Sequence, residues 1–160
     1  MKDYYKGKNF WDKEKSWRIQ YPIDDEIIKK AEKILGVRLP LSFISLMKEQ
    51  NGGELTYPYF MLPDREGKYH LNIDPIHFEK DDVSILSSRE LLEDAKIPKE
   101  FVVLWTDFHH WLVMDYRNTK ENPTIQYIQE DYSTDEMSWK YIKMADTFND
   151  FLKQLFRIAV

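Results

Sequence analysis

Apolar residues recur along positions 27–54 in a pattern that predicts two helices joined by a tight break. Ile27, Ile28, Ala31, Ile34 and Leu35 fall at the spacing that lines one helical face, with Lys29, Lys30, Glu32 and Lys33 opposite. Asp24 and Asp25 stand where an N-cap and a first-turn negative charge belong, and Gly36 suits the left-handed residue that closes a helix. A second helix can start at Pro40, whose missing N–H would have no partner in a first turn. Phe43, Leu46 and Met47 give it an apolar edge, and Asn51-Gly52-Gly53 ends it with residues tolerant of positive φ.

Beyond Glu54 the period shortens. Tyr59 to Leu62 reads as a short strand between Pro58 and Pro63, residues 64–67 as a turn, and Tyr69 to Ile73 as a half-buried strand broken by Asp74-Pro75. A further short strand is expected at Val83 to Leu86, leading into a helical turn from Ser88 to Glu93. The strongest β signal is Phe101 to Trp105 and Trp111 to Tyr116, joined by the polar link 106–110, with Thr124 to Ile128 as a third strand. Their continuous apolarity implies a central, well-covered sheet. Phe148, Phe151, Leu152, Leu155 and Phe156 predict a core-facing helix over 146–158. Ahead of the hairpin, Phe10, Trp11, Trp17, Ile19 and Tyr21 are too many large side chains for a disordered arm. They are expected to pack on the hairpin, Trp17 first, with an exposed aromatic patch for a partner as the alternative.

The string of residue types is more specific than an amphipathic hairpin. Ile28, Glu32, Leu35, Gly36, Leu39, Pro40, then Phe43 and Leu46, then Asn51-Gly52-Gly53-Glu54 resemble the signature of the SUKH superfamily, the Smi/Knr-type proteins. A second stretch, His109, Trp111, Asp115, Tyr116 and Arg117 followed by Pro123-Thr124-Ile125, is similar to one that many bacterial members carry. Members usually have Gly in the turn where this chain has Phe108, which leaves the turn type open. The resemblance implies an α+β domain, with helices on one side of a mainly antiparallel, twisted sheet of about four to six strands. It also implies either a bacterial immunity protein that neutralises a toxin or a regulator of the fungal cell-wall type.

Length and the lack of repeats or composition shifts point to one domain over residues 1–160, with 1–21 a partly ordered extension. With no Cys, disulfides, thiolate chemistry and sulfur-ligated zinc are excluded. No apolar run reaches membrane-spanning or signal-peptide length, so the expectation is a cytoplasmic protein. The net charge of −5 disfavours direct binding to nucleic acid. The acids concentrate: residues 121–139 carry Glu121, Glu130, Asp131, Asp135 and Glu136 with no Lys or Arg. Such a run is either a solvated loop or a partner-binding surface.

Nothing singles out an enzyme. No Ser stands in a Gly-x-Ser-x-Gly elbow, and Gly52-Gly53 lacks the Lys-Ser or Lys-Thr of a phosphate loop. His109 and His110 would point to opposite faces of a strand, and no His stands four residues from another on a helix, so no chelating pair is encoded locally. No metal or cofactor is expected. The reading is a non-enzymatic domain that binds a protein, a cognate nuclease-type toxin, through Asp107, His110, Glu130, Asp131, Asp135 and Glu136 with Tyr132 as an aromatic anchor. Glu32 is expected to accept hydrogen bonds from the Asn51-Gly52-Gly53 backbone, or else to serve as a surface charge beside Lys29 or Arg38.

Overall fold

A short strand, β1 (Lys2–Tyr4), precedes the helical hairpin in the computed structural model, which describes residues 1–16 and 20–159. Helix α1 (Asp25–Leu35) begins where Asp24 accepts a hydrogen bond from the Ile27 N–H and ends at Gly36, whose φ of 72° is left-handed. Its buried stripe is Ile28, Ala31 and Leu35; Ile34 is exposed, so the face is narrower than the spacing predicts. Pro40 is the residue that caps α2 (Leu41–Glu49) rather than its first turn, and Phe43, Leu46 and Met47 turn inward as expected.

Three of the predicted elements differ from what forms. The strand β2 (Gly53–Phe60) is longer than expected and runs through Pro58. Its register against β3 (Tyr69–Ile73) shifts between Glu54 and Tyr59, and an interrupted ladder accommodates a residue with no N–H. No strand forms at 83–86; Ser84 caps a 3-10 turn at Ile85–Ser87, which leads into α3 (Ser88–Ala95). The strands β4 (Phe101–Thr106), β5 (His110–Asp115) and β6 (Thr124–Asp131) follow as read, and β7 (Ser138–Ala145) was not foreseen. The expected C-terminal helix is a single short one, α4 (Phe148–Leu152), after which Phe156–Ile158 forms β8 and pairs with β1.

The α+β class holds, but the strands divide into two four-stranded antiparallel sheets, β1-β8-β2-β3 and β4-β5-β6-β7, rather than one. Alternation along the second sheet explains its continuous apolarity. Leu104, Leu112, Met114, Tyr127 and Ile142 share a core with Phe43 and Met47 of α2 and Phe60 and Leu71 of the first sheet. Val103, Trp111, Val113 and Ile128 face the other way and pack with Leu92 of α3 and Ile97. Helices therefore lie on both faces of this sheet, not one. Trp11 takes the role expected of Trp17, which lies outside the described residues: its indole N–H donates to the Leu46 carbonyl at 2.8 Å, and it and Phe10 are buried.

Candidate functional site

Most motif residues are consumed by the fold. Asn51, 3 % exposed, donates to the carbonyls of Tyr21 and Ile76 and accepts from the Ile76 N–H at 2.7 Å. Gly52 and Gly53 have φ of 83° and 132°, and a Cβ on Gly52 would stand 2.8 Å from the Pro75 nitrogen. Glu32 does not reach this turn. Its carboxylate instead accepts from the Leu39 N–H at 2.7 Å, clamping the link between α1 and α2. The reason is reach: Leu39 is seven residues on, across the break closed by Gly36, where an amide has no helical partner. Asp115 and Arg117 form a bidentate pair at 3.0 and 2.9 Å, and the Tyr116 hydroxyl donates to the Arg38 carbonyl at 2.6 Å. Trp111 is fully buried.

At the opposite end of the same strands the turns are built differently. In the link between β4 and β5, the Asp107 carboxylate accepts from the N–H groups of His109 and His110 at 3.0 and 2.7 Å. Thr106 accepts from the Phe108 N–H and donates to the His110 carbonyl. These bonds close a turn in which Phe108 adopts a φ of 71°, the conformation that glycine adopts without steric cost. The ring of Phe108 is 61 % exposed and meets Trp111 edge-on.

The register of β5 on β6, His110 against Gln129, brings this turn beside the start of the β6–β7 connection. There His109 Nδ1 lies 2.9 Å from Glu130, and the Tyr132 hydroxyl donates to the same carboxylate oxygen at 3.0 Å. His110 Nδ1 lies 3.2 Å from Asp107, and its ring stacks on Tyr127. Asp131 accepts from the Ser133 N–H at 2.9 Å. Asp107, His110, Glu130, Asp131 and Tyr132 are thus gathered at one end of the sheet. Asp135 and Glu136 sit in the exposed 132–137 connection that starts from it. The sequence places His109 in the second family-like stretch but not on the partner surface; its bond to Glu130, which ties the two turns together, depends on the strand register that makes them neighbours.

The electrostatics keep this end charged. The imidazole of His109 beside Glu130 holds that carboxyl below its ordinary value, and the Ser133 amide does the same for Asp131. Burial pushes Asp107 up, but the His110 ring and the two turn amides outweigh it and leave it lowered. The nearby Lys140 is engaged by Asp64 at 3.0 Å. At the far end, Lys29, Lys33, Arg38 and Lys120 line a hollow of about 500 Å³. Among the described residues, no group of three His, Asp or Glu side chains is placed to hold a metal ion. No helix among the described residues is long and apolar enough to cross a membrane.

No curated protein and no solved structure matches the chain significantly. The family whose sequence pattern does match is SUKH_6, described as SMI1-KNR4 cell-wall, over residues 25–152, from the start of α1 to the end of α4, and the chain belongs to it.

Proposed function

We propose that the chain is a non-enzymatic, cytoplasmic protein-binding domain that acts as an immunity protein, capping a nuclease-type toxin with its acidic sheet end. The observation that carries this reading is the gathering of Asp107, Glu130, Asp131 and Tyr132 at one exposed end, away from the motif residues that hold the fold. A nuclease needs a basic groove for phosphates. An acidic, hydrogen-bonded surface complements such a groove, accelerates encounter and excludes nucleic acid from it. Tyr132, 69 % exposed, supplies the rigid aromatic contact that interfaces concentrate. No cofactor enters this reading, and the chain itself has no affinity for nucleic acid.

The test is to look for a toxin gene beside this one and, where there is one, to co-express the two and score rescue of growth. The variant carrying Asp131→Lys and Asp135→Lys is expected to associate roughly tenfold more slowly at low salt, with a flatter salt dependence and an unchanged fold. Unchanged affinity overturns the placement of the surface. A second reading, a regulator that binds cellular proteins, is favoured by the cell-wall description of the family. Absence of a neighbouring toxin, with capture of a cell-wall-synthesis protein from the native organism, selects it.

A further inference from the structure

The hollow at the far end of the sheet, between the end of α1 and the β5–β6 link, has no part in the reading above. Lys29, Lys33, Arg38 and Lys120 line it around a single carboxylate, Glu32, which is taken by the Leu39 N–H. None of these four cations closes a salt bridge among the described residues. A second hollow, of about 460 Å³, shares Lys29, Glu32 and Arg38 with the first and adds an apolar wall of Leu39, Pro40, Leu41 and Ile44. Its Asp25 and Lys48 neutralise each other, which leaves Glu121 as its other acid. Over both hollows five cations face three carboxylates, in a chain where acids outnumber bases by five. Capping α1 does not require this surplus, because the Leu35 carbonyl already accepts from Arg89 at 2.9 Å. The two hollows make one groove with a basic half and an apolar half.

We infer that this groove receives the acidic end of a second copy of the chain, so that molecules associate head to tail. The two surfaces match in kind. The acidic end sets the carboxylates of Glu130, Asp131, Asp135 and Glu136 beside the exposed rings of Phe108 and Tyr132, and the groove sets its cations beside Leu41, 82 % exposed, and the half-buried Ile44. They lie at opposite ends of the six-residue strand β5, roughly 17 Å apart at about 3.4 Å per residue. That exceeds the Debye length of about 8 Å at physiological salt, so the two fields do not cancel within one molecule. The same placement decides the geometry. A copy whose acidic end is seated keeps its own groove open at the other end, which builds an open chain rather than a closed pair. The net charge of −5 opposes the approach of copies, so the contact is weak, with a dissociation constant on the order of 100 µM. A seated copy covers Asp131 and Tyr132, so self-association and the binding of another partner there exclude each other. The inference goes beyond the immunity reading and does not depend on it.

Sedimentation velocity on the full chain tests this. From about 10 µM to about 1 mM protein at about 0.1 M salt, the mean mass should rise past that of a dimer without a plateau. At about 0.5 M salt the association should weaken about tenfold. Lys33→Gln with Lys120→Gln neutralises the groove, and Asp131→Asn with Asp135→Asn neutralises the acidic end. Each double variant alone should associate about tenfold more weakly than the wild type, with its amide spectrum otherwise unchanged. Mixed in equal amounts, the two should regain the wild-type affinity yet stop at a dimer, because each pair then holds one intact groove and one intact acidic end. Lys120→Gln alone, in the exposed link between β5 and β6, should lose about threefold and serves if the double variant does not fold. A chain that stays monomeric throughout, a plateau at the dimer, association undiminished in either double variant or a mixture that regains nothing overturns the inference. So does a saturable response of the Lys33 and Lys120 amides to inorganic phosphate or to an acidic peptide in a chain that does not self-associate, which assigns the groove to another anion.

Discussion

The two ends of the β4–β7 sheet are made from similar residues and put to opposite use. At the end where β5 leaves the sheet, Tyr116 donates to the Arg38 carbonyl, and Asp115 holds Arg117 over the Phe101 and Tyr141 rings. At the end where β5 enters, the side chains of Asp107, His109, Glu130 and Tyr132 bond, among the described residues, within their own two turns, and all but the half-buried Glu130 are exposed. The charge balance differs as well, with Lys29, Lys33, Arg38 and Lys120 around Glu32 at the first end and Asp107, Glu130 and Asp131 at the second. A side chain that closes the fold cannot be exchanged without cost, whereas one that bonds within its own turn can. The acidic end is therefore the freer of the two to vary in sequence.

The sharpest way to break this contrast is Asp115→Ala. It strips Arg117 of its bidentate partner at a position 9 % exposed, and a loss of about 2 kcal/mol in urea unfolding is expected, with partner association unaltered. Tyr116→Phe removes one donor and leaves the Arg38 carbonyl short of it, for about 1 kcal/mol by the same measurement. A change in association kinetics in either variant would show that the two ends are not separate. The smallest effect belongs to pH. Folded-state carboxyls of Asp107, Glu130 and Asp131 titrate below their ordinary values, so the stability they contribute is complete above those values and is lost as pH falls through the lowered ones. Melting temperature should be flat from pH 7 to about 5 and decline below the ordinary carboxylate range, less steeply in the Asp107→Asn variant.

What the sequence made legible follows the range of the interactions. The hairpin could be read because its apolar period, its Asp24 cap and its Gly36 stop are all local. Phe156 satisfied a helical period and also a strand; pairing with β1, at the other end of the chain, decided for the strand. Nothing within 138–145 announced β7, whose place depends on the register of Glu130 against Trp139. At the site, the charge run marked Glu130 and Asp131 and the turn marked Asp107 and His110, but their adjacency is a property of strand register. Glu32 was placed on the wrong amide because two turns offered unpaired N–H groups and only folding selects between them.

Pairing of β1 with β8 sets Lys2 against Ile158 and leaves the Ala159 N–H donating to the Met1 carbonyl at 2.9 Å. Residues 1 and 159 thus stand side by side, so tension applied through them would open the β1–β8 ladder one rung at a time, as a zipper, instead of shearing all its bonds together. Behind β8 the ladder with β2 pairs a single position, Tyr59 with Phe156. Force applied between residues 1 and 159 would therefore meet this short ladder first, whatever the thermodynamic stability of the rest of the fold.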